Sequence, residues 1–192
     1  MKKKIILNLA VVLPIFIMAF AERSSSGAPA SHTGAPGEKT CATAGCHDDH
    51  QPNAGTAKLS IDVASGTTQY VAGKTYPIKI RIEDAGVNRF GFQMVALADQ
   101  TKENAGTFTI TDPERTQFMK NEFELMDRKY VTYTFNGTDA VSDGVGEWII
   151  NWTAPASVTG KITFYVGAVS ANDDESDKGD IVYTASHTVT NL

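Results

Sequence analysis

Tyr76-Pro77-Ile78-Lys79-Ile80-Arg81-Ile82-Glu83 decides the fold. Ile78, Ile80 and Ile82 share one parity, and Lys79, Arg81 and Glu83 share the other. Side chains point alternately to opposite faces only in an extended chain, so this stretch reads as a strand with one face on a core. The same alternation recurs outward in both directions. Trp148, Ile150 and Trp152 share a face, as do Ile162, Phe164 and Val166. Strands are expected at 58–63, 76–83, 90–98, 106–111, 129–135, 147–153, 161–170 and 180–189. Each is rich in Val, Ile, Thr or aromatics and is bounded by Gly, Pro, Asn or Asp. Only 116–128 offers room for a short helix, and its apolar spacing is irregular. About eight strands at these intervals imply an all-β, Ig-like antiparallel β-sandwich.

Before the strands the pattern changes. Residues 22–55 are rich in Gly, Pro, Ser and Ala and show almost no apolar periodicity. Such composition makes turns and extended segments and supplies no hydrophobic centre of its own. Within it lies Cys41-Ala42-Thr43-Ala44-Gly45-Cys46-His47, which holds the chain's two cysteines. Two thiols followed directly by a histidine are the pattern of covalent c-type haem attachment, usually with two residues between the cysteines. The four-residue spacing here is a longer form. On this reading Cys41 and Cys46 carry one haem c and His47 is the proximal iron ligand. His32, on the flexible leader, is the expected distal ligand, because His50 stands too close to His47 to reach the opposite face. Two other readings stay open: a small Cys41–Cys46 disulfide loop, or another metal. Structural zinc wants four protein ligands, and only His50 stands near to complete them.

The N-terminus indicates the compartment. Lys2, Lys3 and Lys4 precede an apolar run that contains Pro14 and ends in Ala19-Phe20-Ala21. This is the form of a secretory signal peptide over 1–21, and the run is short for a bilayer span of ~20 residues. The expected location is outside the cytoplasm: periplasm, cell surface or extracellular space. The 192 residues carry 17 Lys and Arg against 22 Asp and Glu, a formal net charge of −5. The first 21 hold three of the lysines and no acid, so the remainder stands at −8. An acidic chain without a basic stripe is a poor nucleic-acid binder, and once the signal is removed no membrane association is expected.

Thr68-Gln69-Tyr70-Val71-Ala72-Gly73-Lys74-Thr75-Tyr76, Phe90-Gly91-Phe92-Gln93, Trp148 to Pro155 and Gly160 to Tyr165 resemble, in this order, the successive signatures of reelin-like (Reeler) domains. Gly27-Ala28-Pro29-Ala30, Thr33-Gly34-Ala35-Pro36-Gly37-Glu38 and Thr40-Cys41 resemble a bacterial, mostly Bacteroidetes, branch of secreted proteins with this domain. The resemblance implies a Reeler-like sandwich over 56–192. It also implies a Cys-x-x-Cys-His or similar motif after the Gly-Ala-Pro-Gly-Glu stretch. Many such relatives carry a histidine where this chain has Tyr130-Val131-Thr132-Tyr133, so no role is carried over there.

No catalytic constellation emerges. Three of the four histidines lie in the leader, and the carboxylates are scattered. The acidic run 172–180 reads first as a solvated hairpin loop and second as a calcium site. The sequence therefore predicts a non-enzymatic, exported, monohaem cytochrome-like protein that transfers electrons or presents haem. Its partner would be a redox protein or a neighbouring cytochrome, and a homo-oligomer is compatible with it. The second reading is an extracellular recognition or adhesion module with a Cys41–Cys46 disulfide and no haem.

Overall fold

A computed structural model describes residues 26–192; the expected signal peptide at 1–21 lies outside the described residues. Alternating apolar residues fold this span into ten strands. They are β1 (Lys58–Val63), β2 (Gln69–Tyr70), β3 (Thr75–Glu83), β4 (Arg89–Ala98), β5 (Thr107–Ile110), β6 (Thr116–Lys120), β7 (Lys129–Tyr133), β8 (Val145–Thr153), β9 (Ile162–Ala171) and β10 (Ile181–Asn191). One sheet has the order β1-β3-β8-β5 and the other β2-β10-β9-β4-β7-β6. The all-β sandwich expected from the sequence is what the chain forms, and all pairings but one are antiparallel. The exception is the two-residue β2, which lies parallel to the end of β10.

Register follows the period-two pattern. Ile78 sits opposite Ile150, and Ile80 opposite Trp148, so the isoleucine parity of β3 and the tryptophan parity of β8 form one apolar face. It packs on the inward parity of β4 and β9, including Phe92, Met94, Phe164 and Val166, all buried. Trp152 stands edge-on to Phe164 at 4.9 Å between ring centroids, and Phe92 lies against Trp148 at 4.5 Å. Both indole N–H groups find acceptors: Trp148 donates to Gly137 O and Trp152 to Ala105 O, each at 2.8 Å. Leaving either unpaired inside the core would cost on the order of 1–3 kcal/mol.

Besides the two-residue β2, which falls in none of the expected strands, two features differ from the sequence expectation. Where a short helix had room, β6 pairs with β7 as the edge of the six-stranded sheet. Its apolar residues fall on both parities, which hid the strand. The other difference is a third layer. Residues 26–55 lie across the outer face of the six-stranded sheet, where Ala35 packs with Val95, Leu97 and Tyr130, and Cys41 packs with Val169 and Val182. The Gly/Pro-rich segment takes its hydrophobic centre from this face. Gly167 marks the closest approach: a Cβ there would stand 2.6 Å from the carbonyl oxygen of His32.

Candidate functional site

Polar groups fix the leader to the sheet. Gln93 points outward from β4; its Nε2 donates to Ala28 O and Pro29 O, and its Oε1 accepts from His32 N at 2.9 Å. Thr132 accepts from Ala28 N. Glu38 is the hub. One carboxylate oxygen accepts from Arg128 at 2.5 Å and Tyr130 OH at 2.9 Å, and the other from Thr33 Oγ1 at 2.6 Å. The Glu38 side chain is fully buried and that of Arg128 nearly so. Arg128 also donates through Nη2 to Pro36 O and Lys102 O. Burial pushes the Tyr130 phenol up to about 12, which keeps it protonated as a donor. Downstream, Asn53 N donates to Val182 O, and its side chain exchanges hydrogen bonds with Thr184.

Cys41, Cys46 and His47 sit in this layer. A turn closes between them, with Cys46 N donating to Thr43 O and His47 N to Cys41 O. Both thiols are free. The Cys41 sulfur is buried against the sheet, 3.7 Å from His32 O, and burial raises its pKa to about 12, with Cys46 nearby adding to the rise. A neutral, enclosed thiol is a poor nucleophile. His47 Nδ1 comes within 2.7 Å of the buried Asp180 carboxylate, on a line unsuited to a hydrogen bond. The His32 ring is turned to its own segment, where Nδ1–H is shared between Pro29 O and Ala30 O.

These positions correct the haem expectation. The Cys41 side chain packs with Val169 and Val182 on the sheet. His47 faces Asp180, and His32 faces Pro29 and Ala30. No group of three or more His, Cys, Asp or Glu that could hold a metal gathers among the described residues. The haem c cofactor and the electron-transfer function expected from this motif are set aside. The physical reason is that the leader's missing hydrophobic centre is the sheet itself.

In the acidic loop, Lys178 Nζ bridges Asp48, Asp49 and Asp177, and Gly179 N donates to Asp49. These contacts hold the carboxyls of Asp48 and Asp49 below the usual range, with the amides of Gly45 and Gly179 as the largest causes. The loop thus clasps the leader to the β9–β10 connection.

The opposite edge is open. A cleft of about 540 Å³ lies between edge strands β5 and β6, lined by Ala96, Gly106, Phe108, Phe118, Lys120 and Lys129 among others. Gly106 has φ +79°, and a side chain there would strike Thr153 O and the Trp152 indole. Phe118 is 54 % exposed, and the β6–β7 connection shows Phe123 at 88 % and Met126 at 64 %. Sequence reasoning missed this end, as it missed Gln93, Glu38, Arg128 and Thr132. One signal was available: Val95 and Leu97 are apolar on the parity opposite Phe92, Met94 and Ala96, which marks a strand buried on both faces.

No helix among the described residues is long and apolar enough to cross a membrane. No curated protein matches the chain. Among solved structures, the human F-spondin reeler domain (fragment 1) matches at TM-score 0.52 and 22 % identity, covering 70 % of this chain and 88 % of that one. The Reelin-N domain of F-spondin matches at 0.54 and 22 %, covering 76 % and 94 %. These likenesses bear on the fold. The Reeler domain family matches residues 39–174, a span that takes in the Cys41–His47 turn and nine of the ten strands. With most of its length inside that match, the chain belongs to the Reeler domain family.

Proposed function

We propose that the chain is an exported, non-catalytic recognition module that binds a partner outside the cytoplasm through the β5/β6 end of its sandwich. The observation that carries this reading is the uneven cover of the sandwich. The leader hides the outer face of the six-stranded sheet, whereas Phe118, Phe123 and Met126 stand uncovered at one end. Exposed large apolar groups gathered at one place mark interaction surfaces. Export is supported by the basic, apolar and small-residue pattern of 1–21. In an oxidising compartment two adjacent thiols pair, so the reading includes a Cys41–Cys46 disulfide.

The test uses immobilised full-length mature protein and the extracellular fraction of the producing cells. A saturable partner should be retained, identified, and then lost from a Phe118→Ser, Phe123→Ser double variant whose melting curve is unchanged. Equal retention by the variant, or no saturable partner, contradicts the proposal.

A further inference from the structure

We infer that the β5/β6 cleft binds a single-chain anionic amphiphile, an apolar tail with a carboxylate head, with Lys120 and Lys129 holding the head. This rests on the reading of that end as the recognition surface and names the ligand chemistry it takes.

The register places the two lysines together. Val131 lies opposite Met94 in the β4–β7 ladder, and both are in the core. Phe118 lies opposite Val131, and Lys120 opposite Lys129, in the β6–β7 ladder. Period two therefore puts Phe118, Lys120 and Lys129 on the core-facing side, where they line the cleft with Phe108 of the facing sheet. Directly opposed like charges destabilise a strand pair. Among the described residues no carboxylate lies within ion-pair distance of Lys120 or Lys129. A negative head between the two ammonium groups relieves their repulsion.

The tail follows from the lining. A cleft of about 540 Å³ is within the ~300–1,000 Å³ of small-ligand sites, which combine apolar walls with a few placed polar groups. Edge protection is the plainer account of an inward-pointing lysine. It covers Lys120 on the edge strand β6 but not Lys129, whose two sides are taken by Lys120 in the β6–β7 ladder and by Asn104 Oδ1, which accepts from its N–H. An anionic bilayer would meet Glu122, Glu124 and Asp127 beside the exposed Phe123 and Met126, so the loop's charge disfavours that surface.

The experiment is calorimetric titration of the full mature chain with dodecanoate below its micelle concentration, beside dodecanol, acetate and phosphatidylglycerol vesicles. Dodecanoate should bind one-to-one, shift the Gly106 and Phe108 amide resonances, and weaken as salt rises. Lys120→Met with Lys129→Met should weaken it about tenfold while the melting curve holds. Phe118→Ser should weaken dodecanoate and dodecanol alike. The inference is overturned if dodecanoate does not bind, if dodecanol binds as well as the acid, or if the double lysine variant binds unchanged. Lysine-dependent binding to vesicles without binding of the monomer also overturns it, in favour of a membrane surface. Failure here together with retained, Phe118-dependent partner capture removes the amphiphile and leaves the recognition reading standing.

Discussion

The two flanks of the six-stranded sheet meet their surroundings in opposite ways. On its outer face, outward side chains of β4 and β7 receive a Gly/Pro-rich segment and bond its backbone at Ala28, Pro29 and His32, beside the buried Glu38–Arg128 pair. At the β5/β6 edge, the described residues leave phenylalanines and a lysine pair uncovered. Where a loop has few apolar side chains, polar sockets can still fix it in place. Where an apolar cleft has no covering segment, the surface is available to a partner.

Breaking the covered side should give the largest effects. Glu38→Gln leaves the Arg128 guanidinium buried without its counter-charge, a loss of about 3–5 kcal/mol. Its melting temperature should fall on the order of 10 °C. Glu147→Gln, at the partly exposed Arg81 pair, should cost about 1 kcal/mol or less. Similar losses in the two variants would mean that the leader does not bury Glu38.

Next comes Gln93→Leu. It removes the acceptor for His32 N and the donor for Ala28 O and Pro29 O, and should cost about 1–3 kcal/mol in urea unfolding. Loss of the leader's protease resistance before the sandwich unfolds would place the damage at the docked segment.

The alkaline limb sharpens the comparison further. The Cys41 pKa is raised on folding from 9.0 to about 12, so above pH 9 the unfolded chain releases this proton first. That stability is present in full below pH 9 and is lost as pH rises toward 12. Tyr130 acts in the same direction from pH 10 upward. In reductant, the urea midpoint of the parent should therefore fall more steeply between pH 9 and 11 than that of Cys41→Ala. Parallel curves would mean that Cys41 is open to water.

Much of the sandwich was legible because β3 and β8 alternate strictly, and a strand with one wet face has no other way to segregate its residues. β6 was not legible: Phe118 and Met119 are adjacent, one at the cleft and one under the leader, so the parities cancel. The Cys-His motif was legible as a pattern, and its chemistry was misread. Spacing along the chain does not reveal that Cys41 turns inward to Val169 and Val182, some 130 residues away in sequence. The leader's partners, Gln93, Thr132 and Arg128, are single polar residues on strands or at their ends, and only the folded sheet aligns them.

The smallest effect should come from the open end. Phe118→Ser should change stability by no more than about 0.5 kcal/mol, because the ring is already half in water. A larger loss would make the cleft part of the core.

The sheet, without any cofactor, holds the leader. Amide hydrogen exchange on cofactor-free protein tests it most directly. Gly34, Lys39 and Asn53 donate to Lys39 O, Ser31 O and Val182 O. These amides should be protected and exchange in the same cooperative opening as those of β4 and β7. Exchange of all three at the rate of an unstructured chain, while the sandwich amides stay protected, would contradict it.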